Sequence, residues 1–299
     1  MTANWKDQKK GRKSYYHTIR IRFLWAFLVP LIAIIMMFSV TYMTVRNQIV
    51  IASNNTLHQF FRYVDGATEE ADDLCVTISY ASDFQQYSKL IVENPERYTF
   101  YLSKVQQWLA SHGSDKYYDI FAYYPEIDRI VSGIHGTLNL DRYGQVYYPS
   151  EAVEFQDAFR AIVQSKEKKP TWYGLSDGDK KNYLCVSMRQ SLYRSNKYDC
   201  IVVVVLNPDY VTKWIDTADD DAINGVFFIN NSNGDSLFSN GPECTGQELA
   251  DSHMILTEYS SDKDISYSYA IPYAYFNRKM RRLWMIAGVS ISLLLVAGL

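Results

Sequence analysis

Gly174-Leu175-Ser176-Asp177-Gly178 matches G-x-S-x-G, the sequence form of a nucleophile elbow. That device needs a buried strand before the serine, a helix after it and a histidine downstream. Here "KEKKPTWY" before it is polar, "DKKNYLCVSM" after it has strand character, and His253 is the sole downstream histidine. As a turn between strands, "LSDGDKK" has the right composition. The five histidines (His17, His58, His112, His135, His253) form no H-E-x-x-H or other metal-ligand spacing. Asp216, Asp219, Asp220 and Asp221 lack the glycine and closing glutamate of a calcium loop and read as a solvated linker. No glycine-rich phosphate cradle is present. The residues therefore nominate no catalytic group, no metal and no cofactor, and an enzyme is disfavoured.

A different chemistry has better support. Tyr123, Tyr124, Arg142, Tyr143, Tyr147, Trp172, Tyr173, Tyr183 and Arg189 cluster in a segment of strands and loops. Aromatic walls carrying one or two cations suit a small polar or anionic solute. The candidate binding residues are Tyr123, Arg142, Trp172, Tyr173, Tyr183 and Arg189; the competing reading is that such rings simply fill a sheet face. Tyrosine is unusually frequent, at 25 residues in 299, which favours a β-rich recognition module. A net charge of −3 gives no basic field for nucleic acid. The four cysteines have no CxxC pair; Cys185 and Cys200 flank a hairpin out of register, so burial as small residues is preferred to a disulfide.

These residues need positioning elements. Leu57, Phe61, Val64, Thr68, Ala71, Cys75 and Ile78 alternate four and three apart, with Phe60, Ala67, Leu74 and Ala81 beside them. That is the apolar stripe of one long helix, from about 47 to 81, packed on the chain's own sheets or partly on a second copy. A second helix is expected from Asn94 and Pro95 to His112 and Gly113. "YYDIFAYYPEIDRIVSG" reads as strand, turn and strand, and "SEAVEFQDAFRAIVQ" as a short helix. "NYLCVSMRQSL" and "DCIVVVVL" are strands, and "NPDYVTKWI" is a capped helix. "GVFFINNSNGDSLFSN" is a hairpin with Asn233-Gly234 at its tip, and "ISYSYAIPYAYF" a further strand.

Two apolar runs bracket these elements. Phe23–Val45 is long enough to cross a bilayer, and Leu283–Leu299 reaches the short end of that range. Seven Lys/Arg against one acid in residues 1–22 put the N-terminus in the cytoplasm, hence residues 46–282 outside. The mean hydropathy of −0.22 excludes a polytopic bundle. The expected division is 1–22 basic tail, 23–45 first membrane helix, 46–82 stalk, 83–215 distal module, 216–277 proximal module and 278–299 second membrane helix. The basic cluster Arg278, Lys279, Arg281 and Arg282 on the outer side, and the end at Leu299, give the expectation of a chain cut short of further sequence.

The ordered set "VPLIAII", "NNTLHQFFRYVD", "DIFAYYPEIDRIVSG", "TWYG", "VVVVLNPDYVTKWI", "GVFFINNSNGDSLFSN" and "SYAIPYAYF" resembles the double-Cache sensor region of bacterial transmembrane AraC-family regulators and sensor histidine kinases. The resemblance implies an α+β fold: two stacked PAS-like antiparallel sheets on a long helix, between two membrane helices. It further implies solute capture in the distal module, homodimerisation through the stalk in a lipid bilayer, and a cytoplasmic output. Amine- and amino-acid-binding members carry an Arg shortly before the Trp-Tyr pair; here "KEKKP" precedes Trp172-Tyr173, which points away from an amino-acid ligand. The alternatives are a membrane-anchored scaffold without a small ligand and, behind it, an ectoenzyme.

Overall fold

The computed structural model describes residues 4–94, 96–147, 159, 162, 169–176, 182–191, 199–217, 225–231, 234, 236–241, 249–261 and 263–298. Helix α1 runs from Asn4 to Tyr80 without a break, Pro30 included. It stops at Ala81, whose extended backbone (φ −64°, ψ 128°) starts α2, Ser82–Glu93. Helix α3, Tyr98–Ala110, follows. The expected start at Asn94 is corrected: Asn94 closes α2 through its N–H to the Leu90 carbonyl, and Arg97 precedes the first turn of α3. Helix α2 itself was not foreseen.

Strands β1 (Tyr117–Tyr124) and β2 (Arg129–Ser132) form the expected hairpin, with Asp128 left-handed at φ 49° in its turn. Then come β3 (Gly136–Leu138), α4 (Leu140–Tyr147), β4 (Thr171–Ser176), β5 (Asn182–Ser191) and β6 (Asp199–Leu206). They make one antiparallel six-stranded sheet in the order β3-β2-β1-β6-β5-β4. Helix α5, Pro208–Thr217, is capped as expected by Asn207, whose side chain accepts from Asp209 N–H at 3.0 Å. The second sheet contains β7 (Val226–Asn231), β8 (Ser236–Ser239), β9 (His253–Tyr259) and β10 (Ile265–Pro272), ordered β8-β7-β10-β9. Strand β9 escaped the sequence reading, because one face of "HMILTEY" is solvated and its alternation is short. The hairpin β7–β8 turns at Gly234, with φ 87°. Helix α6, Tyr273–Gly298, ends the chain. The fold is thus α+β with a long N-terminal helix and two antiparallel sheets. Of the helix expected over 150–164, only Phe159 and Ile162 are described, and both are buried.

The chain divides into two compact units, residues 54–271 and a unit made of 1–53 with 272–299. In the smaller unit the α1 and α6 helices meet at Phe38 and Trp284, with ring centroids 5.4 Å apart. Among the described residues one helix, α1, is long and apolar enough to cross a membrane, by length and composition.

In the larger unit the stripe of α1 is consumed by the chain's own sheets. Leu57, Phe60, Val64, Ala67, Ala71, Cys75 and Ile78 are all buried. Phe60 packs tilted on Phe227 at 4.4 Å and Phe61 meets Tyr267 edge-on at 5.1 Å, tying α1 to the second sheet. Higher on the helix, the Cys75 thiol reaches the Val202 carbonyl at 3.6 Å, tying it to the first. The Ser88 and Tyr124 hydroxyls, 2.7 Å apart, fasten α2 to the same sheet face. Cys185 pairs with Val205 and Cys200 with Gln190, so these two cysteines lie five residue pairs apart on neighbouring strands and are not bridged.

The G-x-S-x-G motif has a structural explanation. Its first glycine lies on β4, an edge strand, where a Cβ would fall 2.6 Å from the Leu237 carbonyl oxygen of β8. Gly174 lets the edges of the two sheets abut. Ser176 pairs with Asn182, the first residue of β5. The strand extends two residues into the expected loop "LSDGDKK", a correction to that expectation, and the rest of the loop, 177–181, lies outside the described residues. Gly174→Ala is expected to cost about 1–3 kcal/mol, because the obstruction is backbone and must move as a strand. Thermal unfolding of the purified chain in nanodiscs measures this, and an unchanged midpoint would refute the close approach.

Candidate functional site

Strand periodicity sorts the residues of the first sheet onto two faces. Register across four strands puts Asp119, Val205, Cys185 and Tyr173 in one row. The next row is Ser132, Phe121, Val203, Ser187 and Thr171, and the third Ile130, Tyr123, Ile201 and Arg189. These odd-numbered strand positions, with Ser132 and Ile130, share the face covered by α4. Phe121, Tyr123, Ile130, Leu140, Tyr143, Phe159, Ile162, Leu175 and Cys185 form its buried core. The opposite face, with Tyr124, Val202 and Trp172, meets the helices α1 and α2.

An acid, Asp119, stands in the apolar face. Asp119 is wholly buried and accepts three hydrogen bonds from neutral donors. Its Oδ1 accepts from Ile120 N–H at 2.7 Å and from the Ser132 hydroxyl at 2.7 Å; its Oδ2 accepts from the Tyr143 hydroxyl at 2.5 Å. Burial raises the Asp119 pKa, and the Tyr143 and Ser132 hydrogen bonds oppose that rise. Ser132 in turn accepts the Ile134 and His135 N–H groups at 3.1 and 2.7 Å, fixing the turn between β2 and β3. The His135 ring lies 3.9 Å from the Tyr147 ring and 5.8 Å from Tyr118. Its Nε2 is buried without a hydrogen-bond partner. An acceptor-rich carboxyl and an unpaired imidazole nitrogen thus lie within one aromatic wall, under an eight-residue helix held to it through Tyr143.

The six candidate residues fare differently. Tyr123 is buried on the α4 face; its hydroxyl donates to Asp128 Oδ1 at 3.3 Å, the same oxygen that receives Leu140 N–H at the start of α4. Burial pushes the Tyr123 phenol up to about 12. Tyr173 packs against the same core, and Arg189 shares the row of Tyr123. Tyr183 sits opposite Leu175 in the register. Arg142 is exposed on α4, with its N–H on Asn139. Trp172 adjoins Tyr173 in sequence but lies on the other face, its indole near Asp72 of α1. The structure therefore brings Tyr123, Tyr173 and Arg189 to one face and separates Trp172 from them.

Asp119, Ser132 and His135 are not among the binding residues expected from sequence. The available signal was in "YYDIFAYY", where Asp119 has the parity of Phe121 and Tyr123: an acid at an inward position. Among the described residues no group of three His, Cys, Asp or Glu could hold a metal ion.

No protein-family model matches the chain, and no curated protein matches it. Solved structures that resemble it include the V. cholerae histidine kinase DctB sensor domain, at 9% identity and TM-score 0.47, covering 76% of this chain and 98% of that one. The ligand-binding domain of Mlp24 with asparagine is 12% identical, TM-score 0.48, covering 79% and 96%. The sensory domain of the Campylobacter jejuni chemoreceptor Tlp3 (CcmL) with isoleucine bound is 9% identical, TM-score 0.45, covering 79% and 97%. Each is a distant likeness.

Proposed function

We propose that this chain is the solute-sensing portion of a transmembrane signalling protein. A small polar solute would enter the α4 face of the first sheet, hydrogen-bond to Asp119 and His135, and displace the Tyr143 hydroxyl. The observation that carries this reading is the buried Asp119 carboxyl within an aromatic wall, held by neutral donors alone. A carboxyl placed there carries a desolvation cost that its hydrogen bonds offset only in part. Buried titratable groups in such settings are where binding sites concentrate.

The sheet bearing this site packs its opposite face on α1, the helix whose N-terminal half is long and apolar enough to cross a membrane. Solute binding would bias that helix between two arrangements through differential affinity. Residues 46–282 would lie outside the cell and α6 would return the chain to the cytoplasm. A homodimer joined along the membrane helices and stalk, and an AraC-type or histidine-kinase output, complete the proposal.

Thermal-shift screening of the full chain in nanodiscs against amines, amides, polyols and carboxylates tests it. A binding solute should raise the melting temperature by several degrees in the wild type and by much less in Asp119→Asn. A solute that stabilises both equally, or none that stabilises the wild type, would remove the site.

A further inference from the structure

A second carboxylate, on a half-buried residue, stands where α1 passes the junction of the two sheets. Asp72 Oδ1 is buried and has no hydrogen-bond partner. The indole Nε1 of Trp172, on edge strand β4, is likewise buried and unpartnered. The two groups are close enough for the indole to favour the charged carboxylate, yet no bond of hydrogen-bonding geometry joins them. Two residues along β4, Gly174 abuts Leu237 of the second sheet.

The charges around Asp72 come from three elements. On α1 these are Asp65 and Asp73, both of its own sign, and Cys75 one turn on. From β10 comes Tyr267, whose phenol both Asp65 and Asp72 push further up after burial has raised it. From the turn before β10 comes Lys263, the sole cation acting on it among the groups that shift Asp72. That ammonium is already engaged: it donates to Thr68 Oγ1 at 2.7 Å, to the Asp65 carbonyl at 3.1 Å and to Asp65 Oδ1 at 3.3 Å. Asp65 Oδ1 also accepts from Ser260 and Tyr267 at 3.1 Å each. Lys263 is therefore committed to Asp65, and Asp72, about two turns further along α1, is left without a bonded cation.

Burial, the largest cause, lifts the Asp72 carboxyl from 3.8 to about 6, with Lys263 and Trp172 opposing and Asp73 and Asp65 adding to the rise. The sign follows from linkage. A carboxyl raised in the folded state holds its proton there while the unfolded chain has lost it, so stability falls as pH climbs from 3.8 to about 6. Above that window the full cost of the buried charge is present. Below about pH 6 it is progressively relieved.

We propose that Asp72 is a proton-operated latch between the α1 helix and the β4 edge of the first sheet. Charged, its carboxylate draws water into the junction and loosens α1 from β4. Protonated, it needs no water shell and the junction closes dry, so that the helix and both sheets behave as one body. The Trp172 indole N–H, which favours the charged form, holds the transition down. The device is distinct from the Asp119 face, which lies on the other side of the same sheet. It would let the acidity of the surrounding medium set how firmly movement of the first sheet is passed to α1.

The test uses the full chain in nanodiscs from pH 5 to 7.5, reading melting temperature and, after correction for intrinsic exchange, amide protection of β4 and β8. Wild type should gain about 3 °C and added protection on acidification, with a midpoint near 6. Asp72→Asn should hold the acid-form values at every pH. Exposed Asp73→Asn should keep a transition, with its midpoint moved slightly down because a like charge is gone. His58→Gln breaks the contact between α1 and the second sheet in which His58 meets Glu258 at 2.9 Å, and should also keep the transition. If Asp72→Asn fails to fold, Trp172→Phe serves instead: loss of the indole should move the midpoint up. An absent wild-type transition, or one that survives in Asp72→Asn, overturns the latch.

Discussion

Replacing Asp119 by alanine is expected to destabilise the larger unit by about 2–4 kcal/mol, because it strands three donors in an apolar wall. The Ile120 N–H, the Ser132 hydroxyl and the Tyr143 hydroxyl all lose their acceptor together. Two consequences should travel with the loss of stability. Ser132 also orders the turn carrying Ile134 and His135, so amide protection should fall there before it falls in β6. Helix α4 should loosen as well, since Tyr143 is its buried anchor. Asp119→Asn separates stability from charge: the amide retains an acceptor and can donate to the Tyr143 oxygen, so the fold should survive within about 1 kcal/mol. Its stability should depend less on pH. Burial raises the Asp119 carboxyl, so the wild type loses stability as pH climbs above the unfolded value, and asparagine has no proton to lose. Equal melting temperatures for Asp119→Ala and wild type would mean the three donors have other acceptors and the network is not structural.

The network also marks where sequence reasoning stopped. Period and composition sufficed for the long helix, the β1–β2 hairpin, β5, β6 and the capped α5, since each carries its own punctuation. Asn207 before Pro208 caps a helix whatever surrounds it. The stripe on α1 was legible as apolar, and its burial on the chain's own sheets was one of two stated readings. What could not be read were decisions made by contacts distant in sequence. Asn94 and Pro95 look like a helix start, but the preceding segment is also helical, through burial of Phe84 and Ile91, and it takes Asn94 as its end. Helix α4 is short and held by Asp128 and Asp119, one twelve residues and the other 24 residues away from the positions they bond. Trp172 and Tyr173 look like one aromatic pair, yet strand geometry sends them to opposite faces, toward different partners. Gly174 looked like half of a catalytic motif, and only the approach of Leu237, 63 residues on, explains its missing side chain.

Phe60→Ala is expected to have the largest effect of any single truncation on α1, about 3–5 kcal/mol. Phe60 has no exposed surface, its ring lies 4.4 Å from Phe227, and Tyr267 meets it at 6.4 Å. Phe227 stacks further on Tyr269 at 4.3 Å, so the hole would open at the base of a continuous aromatic column in the second sheet. Neighbours cannot collapse into it easily. Tyr267 is bonded through its hydroxyl to Asp65, which is itself held by Lys263. Phe60→Leu keeps much of the volume and should cost less than half as much. The position of the damage is as informative as its size. Protection should fall along residues 57–64 of α1 and in β7 and β10, while β1 and β6 retain theirs, because their contacts to α1 are made higher on the helix, around Cys75. Solute stabilisation through Asp119 should then persist in Phe60→Ala. Uniform loss of protection across both sheets would instead mean that the second sheet cannot be weakened alone, and that α1 joins the two into a single cooperative body.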